Sequence, residues 1–303
     1  MKRTISLFII VALILSCAFT LPGCSGSGSK EYPVSYGDAT ISQEPQSIVV
    51  LNDSVADIIA YIGYHVKMAG RAVSCDQDYL RVVPSVGTSN NPAIDTIVQV
   101  GADLVIADST LPDKIREKIE AQGIQVITMD RAGDLQSLEK QYSDIGAILG
   151  GNETGKKKGQ DSYKALFDML SQFKTATTGV VKTTAYLYLD DSGALCSFTK
   201  GSLEQKIFNY NGTINALSHQ ETPQVNATDL RLGSPTYIFY DDEKVLEYLS
   251  NDEQLMNLGA LREGRTYQLP LKKFYRQGVS FEKTVYEMID YLNAQDQSTP
   301  DQQ

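Results

Sequence analysis

The chain has 303 residues, 37 acidic and 27 basic, for a formal charge of −10. At 42% hydrophobic and 21% charged residues it can build one large or two linked cores, which excludes wholesale disorder. The acidic balance is the reverse of what phosphate neutralisation needs, so nucleic acid is not an expected partner, and two histidines, His65 and His219, leave little for a histidine-rich zinc site.

Lys2 and Arg3 precede an uncharged apolar run from Ile5 to Leu15. A membrane-spanning helix needs about 20 such residues, and this shorter run matches the apolar stretch of a cleaved signal peptide, here residues 1–23. Leu21-Pro22-Gly23-Cys24 and the run Ser25–Ser29 resemble a bacterial lipoprotein signal, in which cleavage exposes a cysteine for lipid attachment. The expectation is an exported protein, held by a lipid on Cys24 at the outer face of the cell membrane or in the periplasm, with residues 24–40 as a flexible tether. Cys17 is a competing lipidation site, although no tether follows it directly. Cys75 and Cys196 are too few for a disulfide framework and are expected to be buried free thiols.

From Gln46 the chain alternates apolar runs with amphipathic stretches. Ser47–Leu51 reads as a strand covered on both faces. Asn52, Asp53 and Ser54 supply helix-capping side chains, and Val55, Ile58, Ile59 and Ile62 form a helical stripe that Gly63 ends. Asp103–Ala107 and Ile124–Ile127 are further strands. Helices follow them, marked by Leu111, Ile115 and Ile119 and by Leu135, Leu138, Tyr142, Ile145 and Leu149. This alternation with short turns predicts a parallel α/β sheet.

Glu153–Lys174 holds no proline and carries Tyr163, Leu166, Phe167, Leu170 and Phe173 on one face. Capped by Asn152, it predicts a helix of roughly 33 Å, long enough to run from one lobe to another. A second α/β half follows, with strands Ala185–Leu189, Tyr237–Tyr240 and Arg265–Leu269, and helices near Ser202–Phe208 and at Val245–Leu249. Its closing helix carries Phe281, Val285, Met288, Ile289 and Leu292. The expected fold class is α/β, two Rossmann-like lobes with parallel central sheets joined by one long α-helix. The first lobe spans 41–151, the inter-lobe helix 152–176, the second lobe 177–295 and a disordered polar tail 296–303.

The order of these fragments resembles class III periplasmic-binding proteins, the iron-siderophore and cobalamin type of ABC-importer substrate-binding protein. The resemblance rests on Ile48–Leu51 with Asn52-Asp53-Ser54, Asp57-Ile58-Ile59, Val86-Gly87, Asn91–Asp95, Gly101–Ala107 and Gly123–Val126. It thins in the second half to Lys200-Gly201-Ser202, Pro223–Asn226, Ser234-Pro235 and Tyr275–Gly278. It implies two lobes bridged by a rigid helix, a ligand held between them with no bond broken, and delivery to a membrane permease. The family pairs an acid on each lobe with permease arginines. Asp95 stands at the first such position and Asp229 beside the second, where Thr228 is the aligned residue.

In open α/β sheets ligands lie beyond the carboxyl ends of the strands. Those ends nominate Asn52, Asp53, Arg71, Tyr79, Ser109 and Arg131 in the first lobe and Lys200, Tyr240, Tyr275 and Arg276 in the second. The cations suit charge-assisted hydrogen bonds to an anionic ferric siderophore, and the tyrosines suit the flat ring of a cobalamin-like chelate. Both ligands stay open. Haem is the alternative, ranked lower because Thr88 stands where haem-binding members carry a ligating tyrosine. No cofactor or resident metal is expected, and the protein is expected to be a monomer. No Gly-x-Gly-x-x-Gly, P-loop or Gly-x-Ser-x-Gly occurs, so an enzyme is not expected. The remaining rival is a surface lipoprotein of the same fold that senses a ligand or binds a partner.

Overall fold

The computed structural model describes residues 31–176, 182–210 and 213–298. The expected signal peptide, Cys24 and residues 299–303 lie outside these. The described chain enters through a hairpin, β1 (Val34–Tyr36) and β2 (Ala39–Ile41), turned at Gly37 with φ 55°. Val34 and Ile41 are buried, and the Tyr32 hydroxyl donates to the Ile148 carbonyl at 3.0 Å. Residues 31–41 therefore pack as part of the first lobe, and the tether expected over 24–40 is too long.

Next comes β3 (Ile48–Val50), buried throughout, as its unbroken apolar run requires. Asn52 caps α1 (Asp53–Ile62) by accepting the Ser54 and Val55 N–H groups at 2.9 and 3.2 Å, and Gly63 ends it at φ 88°. The lobe continues through β4 (Met68–Arg71), the two-residue pair β5 (Gly87–Thr88) and β6 (Asn91–Pro92), and α2 (Ile94–Gln99). It closes with β7 (Leu104–Ala107), α3 (Asp113–Glu120), β8 (Gln125–Thr128) and α4 (Leu135–Gly150). The sheet is parallel in the order β4-β3-β7-β8. The winding reverses between β3 and β7, so their carboxyl ends form a switch point of the kind at which α/β proteins hold ligands. Asp53 and Ser109 lie just beyond those ends.

Residues 151–155 form a π-helical turn, and the linking helix α5 runs over Lys156–Ala176, roughly 32 Å. It starts later than the sequence pattern indicates, and Asn152 is not its cap. The Asn152 amide donates to the Pro33 carbonyl at 2.8 Å instead. The Glu31 carboxylate accepts from the Glu153 N–H at 2.9 Å and the Thr154 hydroxyl at 2.6 Å, supplying the charge that helix N-termini favour. α5 folds back along α4 as an antiparallel hairpin. Glycines make the approach possible: a Cβ on Gly159 would lie 2.0 Å from the Tyr142 carbonyl oxygen.

The second lobe runs through β9 (Lys182–Leu189), β10 (Leu195–Cys196), α6 (Leu203–Tyr210), β11 (Thr213–Asn215) and α7 (Ala227–Gly233). It continues with β12 (Tyr237–Tyr240), α8 (Glu243–Asn251), α9 (Gly259–Arg262), β13 (Thr266–Gln268), α10 (Leu271–Tyr275) and α11 (Val279–Ser298). β11, β9, β12 and β13 are parallel, and β10 pairs antiparallel with the end of β9. Alternation along β9 sends Ala185 and Leu187 into a core with Ile238 and Leu249, and Tyr186 into the core that continues into the first lobe. There Tyr186 stacks on Phe198 with ring centroids 4.6 Å apart and donates its hydroxyl to the Leu269 carbonyl at 2.6 Å.

Two helices brace the lobes. α5 touches α4 and α1 in the first and α6 in the second. α11 begins against α1, where the Tyr61 hydroxyl donates to Glu282 at 3.2 Å, and ends with Tyr291 packed on Tyr237 and Tyr267 of the second sheet. The sequence pattern assigns α11 to the second lobe alone and starts the tail at Asp296, whereas the helix runs to Ser298. Cys75 and Cys196 are both free and buried, and burial pushes the Cys75 thiol up to about 12. Among the described residues no helix is long and apolar enough to cross a membrane.

Candidate functional site

The segment from Tyr275 to Ser280 joins α10 to α11 and crosses the first lobe at its switch point. It is strapped to α1 by Asp57, which has no exposed surface. The Asp57 carboxylate accepts from the Gly278 and Ser280 N–H groups, both at 2.8 Å, from the Ser280 hydroxyl at 2.7 Å and from the Tyr79 hydroxyl at 2.8 Å. Gln277 adds a two-way bond with Ala132: its amide nitrogen donates to the carbonyl at 2.7 Å and its oxygen accepts the N–H at 3.1 Å. Tyr142 donates to the Gln277 carbonyl at 2.7 Å. Only glycine fits at 278, since a Cβ there would lie 2.2 Å from the Asp57 carbonyl oxygen. The strap fixes Tyr275 and Arg276 over the carboxyl ends of the first sheet.

A row of charges runs along the seam so formed. Arg276, its side chain 6% exposed, places Nε 3.4 Å from Asp53 and pairs through Nη2 with Asp76. Lys272 takes the other oxygen of Asp76 at 2.7 Å. Arg131, beyond β8, donates Nε to the Tyr275 carbonyl at 3.0 Å, lies 4.5 Å from the centre of that ring and ion-pairs with Glu204 of α6. Asp53 acts electrostatically on Arg131 as well as on Arg276. The order is Glu204, Arg131, Asp53, Arg276, Asp76, Lys272, with signs alternating throughout.

The environment divides these carboxyls. Burial raises the Asp53 pKa, and Arg276 offsets only part of that rise. At Asp76 burial acts in the same sense, but Lys272 and Arg276 outweigh it and hold the group below its ordinary range. Asp76 pairing therefore stabilises the fold above the ordinary carboxylate pKa and is lost as pH falls through the lowered value, while ionising Asp53 destabilises as pH rises through its raised one. Burial lowers the Arg131 pKa. For Arg276 burial acts the same way, but Asp76 and Asp53 prevail and raise it.

A cavity of about 350 Å³ opens at the Lys272 end of the row, lined by Asp76, Tyr79, Lys272, Arg276 and Ser280 among others. A groove of about 540 Å³ between the β1–β2 hairpin and β8 contains none of the candidate residues. Among the described residues no cluster of three or more His, Cys, Asp or Glu is placed to hold a metal ion.

The structure thus brings Asp53, Arg131, Tyr275 and Arg276 together, and Tyr79 joins them through Asp57. Asn52 is occupied by capping and by a 3.3 Å bond from its amide to the Met129 carbonyl. Ser109 donates its N–H to Asp130 at 2.7 Å on an exposed loop. Arg71 turns into its own lobe: Nε donates to the Leu80 and Val83 carbonyls at 3.0 and 3.1 Å, and Nη1 to the Ala72 carbonyl at 3.3 Å. Arg71→Ala should lower stability by about 2–3 kcal/mol in urea unfolding while leaving ligand affinity unchanged, the opposite of a ligand contact. Tyr240 is buried in the second core and donates to Glu243 at 3.1 Å. Lys200 pairs with Glu221 at 3.3 Å, both largely exposed, an arrangement of little energetic weight. Asp95 is exposed in the first turn of α2, and Asp229 accepts from Asn226 and Gln220 at 2.5 and 3.2 Å in α7.

Glu204, Asp57, Lys272 and Gln277 are not among the nominated site residues, although Asp57 and Gln277 fall within the fragments that carry the resemblance. Asp57 leaves a signal, since it is the only charged residue of α1 after Asp53 in a helix otherwise mostly apolar. Glu204 leaves none, because an acid in a first helical turn is ordinary macrodipole chemistry.

The family model described as "Periplasmic binding protein" matches residues 48–272. The Fe(3+)-citrate-binding protein YfmC of Bacillus subtilis is 23% identical over 285 residues, covering 86% of this chain and 88% of that protein. Among solved structures, the periplasmic heme-binding protein HutB of Vibrio cholerae matches with a TM-score of 0.68 and 14% identity, over 82% of this chain and 98% of its own. The periplasmic vitamin B12-binding protein BtuF of Vibrio cholerae gives 0.59 and 18%, over 84% and 99%. At these identities the solved structures establish a shared fold.

Proposed function

This chain belongs to the periplasmic binding protein family, and we propose that it is the substrate-binding lipoprotein of an ABC importer, taking an anionic ferric chelate into the seam between its lobes. One observation carries the ligand class. Two guanidinium groups, Arg131 and Arg276, are both acted on by Asp53 just beyond the carboxyl end of β3, and the planar fork of arginine matches carboxylate oxygens. A neutral corrinoid would lean on aromatic faces, but Tyr275 is already covered by Arg131, and Tyr79 is tied by its hydroxyl to Asp57. The ferric-citrate-binding relative supports the same choice. In this reading Cys24 carries the lipid, and Asp95 and Asp229 are the acids offered to the permease, Asp95 being the more open of the two.

The test is thermal unfolding of the mature protein in mild detergent with ferric citrate, a carboxylate siderophore, cyanocobalamin or haem. A ligand at one hundred times its Kd adds about 2.7 kcal/mol to the folded state, a shift of several degrees. The ferric carboxylate chelates should produce it and cyanocobalamin should not. A shift with cyanocobalamin or haem alone overturns the reading.

A further inference from the structure

Each of the three cations of the row is neutralised by a carboxylate of the other lobe: Arg131 by Glu204, Arg276 by Asp53 and Asp76, and Lys272 by Asp76. We propose that Glu204 and Asp76 occupy the places of the ligand's own anionic groups, latch the lobes together, and thereby select multiply anionic chelates over neutral ones. The inference rests on the reading that the ligand is held in this seam, and it adds the residues that decide selectivity.

Three observations support it. Glu204 and Arg276 have side chains only 7% and 6% exposed, and a charge so far from water is tolerated only when paired. A molecule parting this row must therefore bring negative groups to replace the carboxylates it displaces, which a neutral molecule cannot do. Next, the row is graded. The Lys272–Asp76 end is about half exposed and borders the 350 Å³ cavity, so exchange can begin where water still screens the charges and proceed inward to Arg276 and Arg131. That cavity is near the small end of the roughly 300–1,000 Å³ of ligand pockets, so a bulky chelate requires the row to part. Finally, the strap bonds made by Asp57 and Gln277 use no group of the row. The latch can open while the strap stays fastened.

The experiment uses the mature chain with Glu204→Gln and, separately, Asp76→Asn at the more exposed end. Ferric citrate and cyanocobalamin are titrated calorimetrically. Without ligand, the separation of spin labels at Glu117→Cys and Glu247→Cys is read by pulsed electron resonance, the native Cys75 and Cys196 being buried. Each carboxyl-to-amide change should tighten ferric citrate by roughly tenfold, leave cyanocobalamin unaffected and broaden the label distances toward longer values. If the unmodified protein binds ferric citrate but neither variant binds it more tightly, the latch is overturned and the chelate reading stands. If the unmodified protein binds neither probe, the chelate reading fails, and the latch is judged by distance alone: broadening upholds it and an unchanged distribution overturns it.

Discussion

Asp57→Ala should remove about 4 kcal/mol from the unfolding free energy, visible as a lower urea midpoint at unchanged slope. The carboxylate accepts from two backbone N–H groups and two hydroxyls; it is wholly buried, and so is Gly278, whose N–H would be left without a partner, whereas Tyr79 and Ser280 border the 350 Å³ cavity. Hydrogen bonds to a charged acceptor contribute about 1.5–3 kcal/mol each, and partial relaxation of the strap keeps the total below their sum. The Gly278 and Ser280 N–H groups belong to the opening turn of α11, so losing Asp57 uncaps a brace between the lobes at the same time. Asp57→Asn tests the charge separately. It keeps one acceptor oxygen but turns an NH₂ toward N–H donors, so it should recover little. A loss under about 1 kcal/mol for Asp57→Ala would mean that water can enter beneath the strap, and the seam could then not be the dry site its charges require.

How much of this was legible before the structure follows from which interactions leave a periodic trace. Ile48–Val50 and Leu104–Ala107 are buried along their length, and an unbroken apolar run is the mark of a strand covered on both faces. The stripes Val55–Ile62 and Leu138–Leu149 face the core in the same way, so the parallel sheet and the two-lobed architecture could be read directly. The hairpin of residues 34–41 could not, since three-residue strands are too short to show alternation. The start of α5 leaves no local mark, because its capping carboxylate, Glu31, comes from more than a hundred residues away. Arg71 shows the same limit at the site. Its acceptors are backbone carbonyls, which every residue possesses, so no pattern distinguishes an arginine that braces a loop from one that meets a ligand. Arg131 and Arg276 were legible as strand-end cations, but their counter-charges depend on how the lobes face each other, and that is not a local property.

Arg276→Ala should weaken binding of an anionic ferric chelate by about 1.5–3 kcal/mol, roughly 10- to 150-fold in Kd. The effect has two opposed parts. Removing the guanidinium takes away a fork for the ligand's carboxylates, but it also leaves Asp76 to Lys272 alone and weakens the latch, which by itself would favour entry. The loss should prevail because Asp53 remains. Its side chain is only 30% exposed, and without Arg276 it turns an uncompensated negative charge toward an anionic guest. Arg276→Lys should restore part of the affinity, since an ammonium returns the charge at a point and cannot bridge Asp53 and Asp76 with a planar fork. Adding Asp53→Asn to Arg276→Ala should recover more affinity than Asp53→Asn gives in the unmodified protein, and that non-additivity is the mark of Asp53 and Arg276 acting on the guest as a coupled pair. Equal calorimetric affinities for the unmodified protein and Arg276→Ala would remove the seam as the binding place, leaving the groove between the β1–β2 hairpin and β8, where Arg116 is the cation, as the next place to look.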